Sequence, residues 1–77
     1  MFEMMKNQIA AGKTVMADVG LLSDQQAKEL GMIEVVTNDS WDGAVTSYYI
    51  SSASGVEHAE KLLYNGMSFA TTPVAVW

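Results

Sequence analysis

Glycine and asparagine recur along this chain at Gly12, Gly20, Gly31, Asn38, Gly43, Gly55 and Gly66, so no long helix or strand can form. They divide 77 residues into five or six short elements. Elements this short are not stable alone and must pack on one another.

Few devices are available to reinforce that packing. The chain has no Cys, no Arg and one His. It therefore has no disulfides, and a structural zinc, which takes four Cys or His ligands, is not expected. A domain of this size buries only about 60% of the surface its unfolded chain exposes. Self-association or docking on a partner is a natural way to add to that. Hydrophobic residues make up 49% and charged residues 17%, the balance of a globular domain rather than a disordered one. The expected organisation is one domain over residues 1–77.

Residues 2–11 predict a helix with Phe2, Met5 and Ile9 on one face and Met1 beside them. Gly12 suits its left-handed end. Residues 13–22 are ambiguous: Val15, Ala17 and Val19 alternate with Thr14, Met16 and Asp18, which permits a short strand ended by Gly20. Ser23-Asp24-Gln25-Gln26 is a capping box, with Leu22 and Ala27 at the staple positions and Gly31 as the stop.

Met32–Thr37 and Ala44–Ile50 read as two strands rich in β-branched and aromatic residues. The turn-forming segment Asn38–Gly43 joins them into an antiparallel hairpin. Tyr48 and Tyr49 fall on opposite faces, which predicts one phenol in the core and the other exposed. Ser54-Gly55-Val56-Glu57 reads as a second capping box, opening a helix to about Asn65 whose buried stripe is Val56, Ala59, Leu62 and Leu63. The C-terminal MSFATTPVAVW suits a strand, with Pro73 at its start or edge. The pattern predicts an α+β fold: a small, mainly antiparallel sheet (a hairpin at about 32–50 plus a C-terminal strand) with two or three short helices packed on it.

Three places invite a chemical reading. Ala11-Gly12-Lys13-Thr14 looks like the end of a phosphate loop, but position 7, where the motif needs its first Gly, is Asn. A helix end explains it better. His58 lies four residues after Ser54, yet Ser54 is accounted for as a cap, and His58 reads as a surface residue. Asp39 and Asp42 flank Trp41 in the hairpin loop. They suit turn chemistry, and Trp41 also suits a protein contact. At the N-terminus, Phe2, Met4, Met5 and Ile9 form an adaptable apolar surface that fits either core packing or docking.

Net charge is −5. Lys6 and Lys13 outweigh Glu3 at the start, and all the other acids lie beyond residue 16. Four scattered lysines without Arg do not make a nucleic-acid surface. An acidic body fits a basic protein surface instead. No apolar run approaches membrane-spanning length, and the first residues lack the basic-then-apolar order of a secretion signal, so a cytoplasmic setting is expected.

The segment Val19–Gly31, about a sixth of the chain, resembles a helix-opening stretch of the XkdX-type small phage tail-region proteins. That resemblance implies a phage or mobile-element accessory. The expectation is a non-enzymatic protein–protein interaction module that binds and inhibits a host protein, with no cofactor and no metal. Its contact residues are expected among Phe2, Met4, Met5, Ile9, Asp39, Trp41, Asp42 and Tyr48. The alternative is a self-assembling structural component, of a virion or another homo-oligomer.

Overall fold

A computed structural model describes residues 1–37 and 45–77. In chain order the elements are α1 (Phe2–Ala10), β1 (Val15–Asp18), α2 (Asp24–Glu29), β2 (Ile33–Thr37), β3 (Thr46–Ile50), α3 (Val56–Tyr64) and β4 (Val74–Val76). Among the described residues the strands form one antiparallel sheet in the order β2-β3-β1-β4. This is the α+β architecture expected.

Local chemistry explains where the elements begin and end. Gly12, Gly31 and Gly66 all have positive φ and close their helices in the same way. After α2, Gly31 N–H donates to Lys28 O and Met32 N–H to Ala27 O, at 3.0 and 2.9 Å. This double bond pattern satisfies carbonyls that the helix end would otherwise strand. The capping box at Ser23 forms in full: Ser23 Oγ accepts from Gln26 N–H, and Gln26 Oε1 accepts from Ser23 N–H. Leu22 and Ala27 are both buried in one cluster, as the staple requires.

The ambiguous segment 13–22 is a strand through Asp18 followed by a 3-10 turn at Val19–Leu21. That strand, β1, lies between β3 and β4. Its Val15 is held twice by Ser51, whose N–H donates to Val15 O and whose Oγ accepts from Val15 N–H at 2.8 Å. The hairpin of β2 and β3 is present, pairing Ile33 with Ile50 through to Thr37 with Thr46. Its connecting segment lies outside the described residues.

Two expectations are corrected. The second capping box does not form. Gly55 is the N-cap of α3 without a side-chain bond, because a 3-10 turn at Ala53–Gly55 runs directly into the helix. Ser54 Oγ instead lies 2.8 Å from Ser52 Oγ.

The second correction concerns the tyrosines. Both are buried, because helices cover both faces of the sheet. Val15, Ala17, Tyr49 and Val74 pack on one face with Met5 of α1 and Ala27 of α2. Met16, Tyr48, Ile50 and Ala75 pack on the other with Ala59 of α3, Phe69 and Trp77. Tyr48 faces Phe69 with ring centroids 6.4 Å apart. Each large apolar side chain so buried contributes about 1.5–3 kcal/mol.

Trp77 is pinned by its backbone. Thr14 N–H donates to Trp77 O at 2.8 Å and Trp77 N–H to Thr14 O at 3.0 Å. Its ring lies over His58, with centroids 4.5 Å apart.

Candidate interaction surface

The residues expected to touch a partner separate sharply by position. Met5 and Tyr48 are completely buried, so neither presents a surface. Phe2 and Ile9 are half-buried against the cluster that holds Met5. The i, i+3, i+7 face of α1 is thus its core face. Met4, on the other side, is 38% exposed and Met1 61%. Asp39, Trp41 and Asp42 lie outside the described residues.

The chemical readings resolve in a similar way. Ala11-Gly12-Lys13-Thr14 is the end of α1: Gly12 N–H donates to Ile9 O and Lys13 N–H to Gln8 O. His58 is exposed beside Trp77, and the Ser54 hydroxyl is engaged with Ser52. Among the described residues no group of three or more His, Asp or Glu side chains gathers as a metal site would require. Among them, too, no helix is long and apolar enough to cross a membrane.

A surface the sequence did not single out lies along β2. This strand ends the sheet, so one of its sides has no strand beside it among the described residues. Two of its side chains, Ile33 and Val36, are 44% and 61% exposed. Beside it is a shallow groove of about 280 Å³ lined by Asp24, Ala27, Lys28, Met32, Glu34 and Tyr49. The capping box fixes the α2 wall by starting the helix at Asp24. Gly31 fixes the turn that brings β2 back along it.

Tyr49, on β3, ties the sheet to the α2 wall. Its hydroxyl donates to Asp24 Oδ1 at 2.7 Å. Its pKa is pushed up from 10.0 to about 12, first by that hydrogen bond to a carboxylate, then by burial and the nearby charges of Asp24 and Glu34. Two carboxylates and one ammonium, on Lys28, give the groove a net negative character. No sequence signal marked the edge: β2 contains neither Pro nor Lys, the residues that commonly blunt exposed strands.

Comparison with protein-family models, with curated proteins and with solved structures returns no match.

Proposed function

We propose that this chain is a non-enzymatic protein–protein interaction module that recognises its partner at the edge of its sheet. The exposed apolar edge of β2 is the observation that supports this. Both sheet faces are already covered by helices, which leaves edges and the outer sides of helices for recognition. The poverty of reactive side chains points the same way. The more specific reading, a phage or mobile-element accessory that inhibits a cytoplasmic host protein, draws only on the resemblance at residues 19–31.

Affinity capture from a host lysate, followed by binding of the purified candidate, tests the module reading. Met4→Asp combined with Val36→Asp should lose a partner that the parent retains, since both side chains are exposed. A parent that retains nothing beyond the bare-resin control would sink it.

The alternative, a self-assembling component, draws support from the second open edge at β4, where Val76 is 38% exposed. Two open edges permit head-to-tail strand addition. Light scattering at high micromolar concentration separates the readings: the module stays monomeric and the assembling component does not.

A further inference from the structure

We propose that the open edge of β2 accepts an extended basic segment of a partner protein as an added antiparallel strand, with a Lys or Arg side chain set against Glu34 and Asp24. This rests on the interaction-module reading and specifies the partner's chemistry.

The ladder itself shows which backbone groups are open. Ser51 N–H donates to Val15 O, and Ala17 stands opposite Tyr49. Bonded pairs alternate along an antiparallel ladder, so Val15/Ser51 and Ala17/Tyr49 are the pairs that join β1 to β3. The backbone of Tyr49 therefore turns toward β1, and those of Tyr48 and Ile50 turn toward β2. Their β2 partners are Val35 and Ile33. The N–H and C=O groups of Glu34 and Val36 consequently point away from β3, along the open edge. By contrast, β4 is only three residues long, Val74–Val76, and offers a shorter edge.

Side chains set the chemistry of the incoming strand. Glu34 stands opposite Tyr49, on the face that α2 covers and where the groove lies. An antiparallel strand would present successive residues to Val36, Val35, Glu34 and Ile33. Three of these positions are apolar and one is a carboxylate; Asp24 and Lys28 line the same groove, which keeps a net negative charge. The fitting pattern is apolar, apolar, basic, apolar, since opposite charges directly across a strand pair attract and like charges repel. A second copy fits less well. Each copy carries −5, and two-fold pairing about Val35 would set Glu34 against Val36 with no opposing cation.

Fluorescence anisotropy with the dye-labelled peptide Ser-Val-Val-Lys-Val-Ser, and with the same peptide carrying Glu for Lys, tests the proposal on the intact chain. The Lys peptide should bind about fivefold more tightly, and Glu34→Lys should reverse that order. Val36→Pro removes an outward N–H while keeping the β2–β3 bonds. It should weaken the Lys peptide about tenfold and leave far-UV circular dichroism unchanged. If Val36→Pro disturbs the fold, the charge reversal at Glu34 still decides.

No detectable binding at millimolar peptide, or an order indifferent to Glu34→Lys, would overturn the proposal. A dimer in sedimentation that Val36→Pro disperses would assign the edge to a second copy and also overturn it. A protein partner captured equally by the parent and by Val36→Pro would overturn the edge assignment while leaving the module reading in place.

Discussion

A methyl group added at Gly55 would lie 2.8 Å from Thr14 Cγ2 and 3.1 Å from the Trp77 ring. At Gly31 the same methyl would meet nothing within 4 Å, but φ there is +72°, where side chains are strained. The two glycines are needed for different reasons, one for space and one for backbone conformation. Gly55→Ala should cost about 1–3 kcal/mol through overpacking, and adding Thr14→Ser, which removes that Cγ2, should recover part of it. Gly31→Ala should cost about 1 kcal/mol with no such rescue. Urea unfolding of the three variants and the parent distinguishes these cases.

Tyr49 gives a pH test. Its folded pKa is raised, so the neutral phenol stabilises the fold fully below pH 10 and that contribution is lost as pH rises toward about 12. The stability difference between the parent and Tyr49→Phe should therefore change across pH 10–12 and be flat just below it. Thermal melts at stepped pH measure this. A carboxylate partner for Tyr49 was not legible in the sequence, because Asp24 is 25 positions away and meets it only through packing.

At the scale of elements, α2 and α3 begin differently despite similar sequence signals. Ser23 caps α2 through two reciprocal bonds, and Ser23→Ala should cost about 1 kcal/mol. Ser54 makes no cap bond to α3, and Ser54→Ala should stay within about 0.5 kcal/mol. Chemical denaturation of the pair checks both. Equal losses would mean that Ser54 caps in solution. The difference was hidden because a capping motif states what can bond, whereas the preceding backbone decides whether it does. At Ser54 that backbone is already turning.

The whole molecule shows why similar methionines play opposite parts. Met5 is completely buried beneath α1 and Met4 is 38% exposed, though they are adjacent. A buried unpaired carboxylate costs several kcal/mol, a large share of the stability available to a small domain. Met5→Asp should therefore abolish the cooperative melt. Met4→Asp should retain the parental melting temperature within about 5 °C, a shift of under 1 kcal/mol. Differential scanning calorimetry reads both. Helical spacing correctly grouped Phe2, Met5 and Ile9, but spacing alone does not say whether an apolar stripe meets the protein's own sheet or another protein.

Local residues alone determined the helix C-termini at Gly12, Gly31 and Gly66, the capping box at Ser23 and the hairpin of β2 with β3. Each depends on groups a few positions apart, so near-neighbour sterics and hydrogen bonding decide it. Tertiary structure decided that β1 lies between β3 and β4, that helices cover both faces, and that β2 is left as an open edge among the described residues. A hint of the two-sided burial was present in the unbroken apolar runs Val15-Met16-Ala17 and Tyr48-Tyr49-Ile50, the mark of strands buried on both faces. Such runs do not encode strand order. That order is set by which long-range packing of three helices on four strands leaves the least apolar surface in water.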